Sequence, residues 1–275
     1  MKKPKNLPRV GENHALVNYP SVRMLAASAA FVRFPEIDIA RGIALIAMII
    51  YHLCFDLNYF GWIQIDQLHD RFWLWLRTLI LSSFLLLAGI SLHLRLQQQF
   101  SPQRWWRRWA HIAGAALLVS VASYAMFPQT YIYFGVLHFI GLTLLLAWPL
   151  RQVLAQCPNC FLLGLGTLVG GAPYLWSDAA FNPRSLNWLG FTTILPQTED
   201  YVPLFPWLAL ILWGIVLGRK LPNKPPRRLS TKLRKSPNGQ LRYLLSWLGQ
   251  RSLLVYLLHQ PLLMTILTGL NYLRH

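Results

Sequence analysis

The chain contains few charged residues for its length. Asp, Glu, Lys and Arg make up 13% of its 275 residues, whereas an average soluble domain carries roughly a quarter. Hydrophobic residues make up 55% of the chain and occur in long blocks. Soluble cores do not need such blocks, but a membrane-spanning helix needs about 20 consecutive, mostly apolar residues. The shortage of charge therefore argues against an ordinary soluble domain and predicts a membrane protein.

Cysteine and acidic residues are also scarce. The chain has 3 cysteines, 9 acidic residues and 26 Lys and Arg residues, which gives a net charge of +17. Three cysteines are too few for a disulfide framework, and Cys157-Pro-Asn-Cys160 has no second pair to complete a metal site. A nucleic-acid-binding protein gathers its basic residues on one water-exposed face, but here they lie between apolar blocks. We therefore expect no metal cofactor and no nucleic-acid partner.

The apolar blocks predict an all-α fold, a polytopic transmembrane helical bundle with about seven spans. The predicted spans are Ile37–Phe60, Phe72–Leu94, Trp109–Phe127, Tyr133–Leu150, Phe161–Trp176, Leu204–Leu217 and Leu244–Leu270. Residues 1–35 are expected to form a loosely ordered leader, and residues 36–273 the membrane domain, with a basic loop at 219–242. The fifth and sixth spans are short, so they could be tilted or partly re-entrant.

The distribution of Lys and Arg predicts the orientation of the spans. Alternate segments on one side carry twenty of them, including six before residue 37 and nine in 219–242, whereas the other side carries three. Loops rich in Lys and Arg stay in the cytoplasm, and anionic lipid headgroups attract them. The sequence therefore predicts a cytoplasmic N-terminus in a bacterial inner membrane, with membrane lipid as a partner.

The first predicted span carries four ionisable residues in an otherwise apolar stretch: Asp38, Arg41, His52 and Asp56. Their spacings of three, eleven and four residues place all four on one face of a helix. Arg41 and His52 are separated by about 16 Å along the axis. Because ionisable side chains are costly in hydrocarbon and are functional there by default, this face is expected to line a protein interior or a watery cavity.

Other spans contribute ionisable residues at similar depth, namely His138, His259 and Arg77. A neutral imidazole can act as a general base near pH 7, and a carboxylate one turn away can orient its ring. A buried Arg suits a phosphate or another anion. These residue types thus favour a catalytic or anion-binding site. The structural alternative is that Asp38 pairs with Arg41 at the membrane boundary and that the histidines only form packing hydrogen bonds.

Several motifs carry a resemblance to a known family. The segment Asp38-Ile-Ala-Arg-Gly-Ile-Ala-Leu followed by His52 resembles the first span of the heparan-alpha-glucosaminide N-acetyltransferase catalytic-domain family, in particular its compact bacterial members. The resemblance extends over roughly residues 33–272. It also includes Phe84-Leu-Leu-Leu-Ala-Gly-Ile-Ser91, Tyr133-Phe-Gly-Val-Leu-His138, Asp200-Tyr-Val-Pro-Leu-Phe-Pro-Trp207 and the stretch from Gly249 to Pro261. The spacing of Arg41 and His52 is similar to that of the wider transmembrane acyltransferases.

The resemblance implies an enzyme that moves an acetyl group from cytoplasmic acetyl-CoA to an amine or hydroxyl of an envelope sugar or glycan. By that analogy His52 is the catalytic histidine and Arg41 contacts CoA. We predict a catalytic group of His52, Asp56, His138 and His259, and a donor-binding group of Arg41, Asp38 and Arg77. Two alternatives remain: a transporter or proton-coupled permease that uses the same buried groups, and an assembly partner of envelope enzymes.

Overall fold

The computed structural model describes residues 34–97, 101–222 and 237–274, and within these ranges the chain is helical. The described residues form eight α-helices: α1 Pro35–Tyr59, α2 Arg71–Leu96, α3 Pro102–Met126, α4 Val136–Gln156, α5 Asn159–Leu175, α6 Leu204–Arg219, α7 Pro237–Gln250 and α8 Ser252–Arg274. Their only extended pairing is an isolated parallel bridge between Phe134 and Tyr201. The all-α prediction is confirmed. The predicted leader lies outside the described residues, except for its last two positions.

Five of these helices, α1, α2, α3, α4 and α8, are long and apolar enough to cross a membrane. The apolar helices α5 and α6 have 17 and 16 residues and are shorter than those five. Large apolar side chains such as Trp75, Leu117 and Leu168 are more than half exposed on the helix surfaces. Exposed apolar surface on this scale marks contact with lipid or with another protein. The chain is therefore a multi-pass membrane protein.

Two helix boundaries differ from those predicted by hydropathy. Helix α3 begins at Pro102, seven residues before the predicted start, because the Ser101 side chain caps its N-terminus by accepting from the Arg104 N–H. The predicted last span, Leu244–Leu270, is interrupted at Arg251 and belongs to two helices, α7 and α8. Apolar periodicity continues across Arg251, so composition alone does not reveal the break.

Neighbouring helices run in alternating directions. Three contacts join the start of one helix to the end of another: Arg41 with Ser91, Trp105 with Trp148, and Asn159 with Arg219. One end of the bundle therefore holds the start of α1 and the Arg-rich ends of α2, α3, α4 and α6, and we call it the basic end. The opposite end, the loop end, holds residues 60–70, 127–135 and 176–203.

Glycines bring particular helices into backbone contact. In the α2–α6 pair, a Cβ added at Gly89 or at Gly214 would overlap the backbone of the other helix. Helix α7 packs on the first half of α1 in the same way, because a Cβ at Gly42 would overlap the Leu245 carbonyl and one at Gly249 would overlap the Asp38 carbonyl. These contacts hold the start of α1, which carries Asp38 and Arg41, in a fixed position.

The segment 176–203 covers the loop end by pairing with the residues before α4. The Glu199 N–H donates to the Thr130 carbonyl at 2.9 Å, and the Val202 N–H donates to the Phe134 carbonyl at 3.1 Å. The Tyr201 hydroxyl donates to the Asn187 carbonyl at 2.6 Å. The segment is thus a packed cover over the loop end of the bundle.

Candidate active site

Helix α1 presents its ionisable residues toward the protein, as the sequence predicts. Asp38 is 6% exposed and Asp56 is 1% exposed, whereas His52 is partly buried. The side chain of Arg41 is 24% exposed. Because the helix is continuous from Pro35 to Tyr59, about 16 Å of helix axis separates Arg41 from His52. The face therefore carries two clusters, one near the basic end and one nearer the loop end.

The cluster near the basic end is built around Arg41. Its guanidinium donates to Asp38 Oδ1 at 3.1 Å and also contacts the hydroxyl of Ser91 on α2. Arg108 on α3 lies close enough for its charge to act on Arg41, although Arg108 itself is exposed. Two guanidinium groups from different helices thus lie near each other, and one of them pairs with Asp38. This excess of positive charge suits a multiply charged anion such as a phosphate group.

The second cluster contains two imidazole rings from opposite ends of the sequence. The ring centres of His52 on α1 and His259 on α8 are 4.9 Å apart, and the rings are inclined by 60°. His259 Nδ1 lies 2.7 Å from the carbonyl oxygen of Tyr256. A carbonyl only accepts, so Nδ1 carries the proton and Nε2 keeps its lone pair. That Nε2 atom is buried and has no hydrogen-bond partner among the described residues.

Asp56 contacts α8 rather than His52. Its Oδ1 atom accepts from Gln260 Nε2 at 2.7 Å, and its Oδ2 atom has no partner in the described part of the chain. No hydrogen bond joins Asp56 to His52 within the same residues, so the orienting role suggested by their four-residue spacing has no contact to support it. The spacing places the two side chains on one face, but the direction of each depends on the partners that α8 supplies.

Both ring nitrogens of His138 are occupied by contacts with other residues. Nδ1 accepts from the Gly135 N–H at 3.3 Å, and Nε2 lies 3.0 Å from the hydroxyl oxygen of Ser120. The Ser120 hydroxyl donates to the Ile132 carbonyl at 2.7 Å, so its oxygen is available to accept from Nε2–H. These contacts fix one neutral tautomer and join α3 to the start of α4. The geometry favours a structural role for His138, because no free lone pair remains.

Arg77 and Asp200 lie near the loop end. Asp200 Oδ2 accepts from the Val136 N–H at 2.9 Å, which caps helix α4 from a distant segment, and from the Tyr256 hydroxyl at 3.4 Å. Burial raises the pKa of the Asp200 carboxyl, and these two hydrogen bonds and the Arg77 charge only partly oppose the shift. Arg77 is exposed and lies on α2, far from Arg41. The structure therefore does not bring the three residues predicted to bind the donor together.

Four residues of these clusters are missing from the predicted site: Ser91, Arg108, Tyr256 and Gln260. Ser91 ends the motif Phe84–Ser91, and Tyr256 and Gln260 flank His259 in the last motif. Arg108 precedes the predicted third span, Trp109–Phe127, and belongs to α3 because that helix begins at Pro102. In the described ranges no group of three or more His, Cys, Asp or Glu side chains could hold a metal ion.

Comparison with known proteins identifies one family. The sequence model described as heparan-alpha-glucosaminide N-acetyltransferase, catalytic, matches residues 33–261 and thus covers most of the chain. The match includes the Arg41 cluster, the histidine pair and the Asp56–Gln260 contact. No curated protein and no solved structure matches the chain.

Proposed function

We propose a specific reaction from the premise that the chain belongs to the heparan-alpha-glucosaminide N-acetyltransferase catalytic-domain family, whose members are membrane acetyltransferases. The proposed reaction moves an acetyl group from cytoplasmic acetyl-CoA to an amine or hydroxyl of an envelope sugar or glycan. The proposed location is the bacterial inner membrane, with the basic end and the N-terminus in the cytoplasm. The observation that carries the proposal is the pair of imidazoles formed by His52 and His259.

The Arg41 cluster supports binding of the donor from the basic end. Arg41 and Arg108 come from different helices, and Arg41 pairs with Asp38. The phosphate groups of CoA would occupy this positive region. Its pantetheine arm is a long flexible chain, so it would extend along α1 toward His52 and bring the thioester to the histidine pair.

His52 is the proposed general base. As the nitrogen or oxygen of the acceptor attacks the thioester carbonyl, His52 takes the N–H or O–H proton. The C–S bond then breaks, CoA leaves as a thiolate, and the imidazolium returns the proton to that sulfur. His52 makes no hydrogen bond to another described side chain, so its ring is free to receive a proton. The His259 ring is fixed by the Tyr256 carbonyl and would hold the neighbouring His52 ring in place.

The proposal is tested with purified protein in proteoliposomes. Acetyl-CoA labelled in the acetyl group is added on one side, and a panel of hexosamines and hexoses is supplied on the other. We expect labelled acetylated sugar to accumulate and free CoA to appear in equal amount. Movement of unmodified sugar or protons across the membrane without acetyl transfer would favour the transporter alternative and contradict the proposal.

A further inference from the structure

The region beside the histidine pair is unusual because its unpartnered atoms are all hydrogen-bond acceptors. Asp56 Oδ2, Gln260 Oε1 and His259 Nε2 are buried and find no donor among the described residues. Asp56 is 1% exposed and His259 is 9% exposed. Buried polar atoms are normally paired, so a set without donors needs an explanation.

Two of these acceptors belong to side chains that are in direct contact. Asp56 and Gln260 are joined by a hydrogen bond of 2.7 Å between Oδ1 and Nε2, which leaves the second oxygen of each side chain unused. Gln260 follows His259 directly in α8, and Asp56 lies one helical turn beyond His52 in α1. The unused oxygens of Asp56 and Gln260 therefore belong to a contact between α1 and α8, the same two helices that carry the histidine pair.

A fourth acceptor comes from the loop end. Gln67 is 3% exposed, its Nε2 donates to the Tyr51 carbonyl at 3.4 Å, and its Oε1 has no partner in the described ranges. Tyr51 directly precedes His52, so this loop glutamine is tied to the same stretch of α1. Gln67 adds a further unpartnered acceptor atom beside this stretch of α1.

We infer that Asp56 and Gln260 form the subsite that holds the acceptor substrate, and that this subsite takes a group carrying at least two N–H or O–H donors. This inference rests on the proposed function. A donor-rich group, such as a sugar hydroxyl pair or an ammonium, would satisfy Asp56 Oδ2 and Gln260 Oε1 together. His259 Nε2 is available as a third contact. Asp56 then acts by binding substrate and not by orienting His52.

Gln260→Met provides the first test, because it keeps the length of the side chain and removes its oxygen and nitrogen. We expect the KM for glucosamine or glucose to rise about tenfold or more, as the loss of a hydrogen bond in a charged network predicts. The kcat and the KM for acetyl-CoA should change by less than about twofold, since donor contacts lie elsewhere. Gln64→Met, at an exposed glutamine of the same loop end, is the matched control.

Gln260→Glu separates substrate binding from a merely structural role. It keeps the Oε1 oxygen and replaces the amide nitrogen by a second oxygen, and a proton shared with Asp56 restores the link between the two residues. We expect its KM for the sugar to stay near that of the parent. A purely structural Gln260 predicts instead that Gln260→Met lowers the free energy of unfolding and leaves the KM of the folded protein for the sugar unchanged. Comparing glucosamine with glucose shows whether an amine or a hydroxyl supplies the donors.

The two proposals fail in different ways. If the parent protein transfers no acetyl group to any sugar, the proposed function is wrong. If the parent transfers acetyl but Gln260→Met has an unchanged KM for the sugar, the proposed subsite is wrong. Water alone then satisfies the oxygens of Asp56 and Gln260. The proposed subsite is also wrong if Gln260→Glu and Gln260→Met raise the KM for the sugar equally.

Discussion

The imidazole rings of His52 and His259 lie with their centres 4.9 Å apart, one on the first described helix and one on the last. The two rings differ in their surroundings. His259 is held by the Tyr256 carbonyl, which fixes its tautomer, whereas His52 has no hydrogen-bond partner among the described side chains. One ring is thus held by a carbonyl and the other is not. We propose that His52 transfers the proton and that His259, fixed by the Tyr256 carbonyl, positions the His52 ring.

Replacing His259 should lower turnover. The loss should not add to the loss caused by replacing His52. We expect His259→Ala to reduce kcat, because the ring that packs against His52 is lost. The double variant His52→Ala/His259→Ala should cost little more than His52→Ala alone, since residues that act as a unit are not additive. Steady-state kinetics of the three variants test this. Fully additive losses would show that the two rings act independently.

Arg41 and Arg108 should be needed for donor binding. Replacing either by Ala should weaken acetyl-CoA binding by roughly 1.5–3 kcal/mol if a charge-assisted hydrogen bond to phosphate is lost. The parent affinity should fall as salt is raised, because exposed charges are screened. Isothermal titration with acetyl-CoA measures both effects. Arg107→Ala, which changes an exposed neighbour on α3, is the control. Equal losses of acetyl-CoA affinity in all three variants would show that only the overall positive charge matters and would contradict a specific site.

His138 should matter for stability and not for chemistry. His138→Ala leaves the Gly135 N–H and the Ser120 hydroxyl oxygen without their partner, so the free energy of unfolding should fall by roughly 1–3 kcal/mol. The folded fraction should keep the parent kcat. Thermal unfolding in detergent and activity per folded molecule check these outcomes. A stable His138→Ala protein with a large loss of kcat would place His138 in the reaction.

Asp200 should make stability depend on pH. Burial raises the pKa of its carboxyl above the unfolded value, which is about 4. The folded protein therefore holds this proton more tightly, and the stability that it contributes is lost as pH rises from about 4 through the folded pKa. Asp200→Asn keeps acceptors for the Val136 N–H and the Tyr256 hydroxyl, so it should remove this decrease. If the free energy of unfolding changes with pH in the same way in the parent and in Asp200→Asn, the prediction is wrong.

The proposed orientation can be tested with reporter fusions. Fusions after Gln97 and after Lys220 should report a cytoplasmic location, because both positions lie at the basic end. A fusion after Asp178, at the loop end, should report an external location. An external signal at Lys220 would contradict both the orientation and the proposed crossing of the membrane by α5 and α6.

Sequence patterns predict much of this fold because the hydrocarbon core of the bilayer restricts which segments can cross it. A spanning helix must be apolar over its length, so α1 and α2 are predicted to within two residues at each end. The start of α3 was missed because Arg104, Arg107 and Arg108 lower the hydropathy of a turn that Ser101 caps. The break at Arg251 was missed because apolar residues continue on both sides of it.

The sequence predicts the part of the candidate site that lies on a single helix, but not the contacts between helices. The spacing of Asp38, Arg41, His52 and Asp56 fixes their common face, and the structure agrees. Contacts between helices decide the rest: Gln260 pairs with Asp56, His259 packs on His52, and Ser120 occupies His138. Periodicity along one segment carries no information about which distant segment supplies a partner.

The most direct test is the rate of acetyl transfer by His52→Ala, measured beside His111→Ala, which changes an exposed histidine of α3. His52→Ala should bind acetyl-CoA as the parent does, because the Arg41 cluster lies about 16 Å away along α1. It should lose roughly 10²–10⁴-fold in turnover, the range for a positioned acid–base group, while His111→Ala keeps the parent rate. A folded His52→Ala protein that binds acetyl-CoA and transfers acetyl at the parent rate would contradict the account.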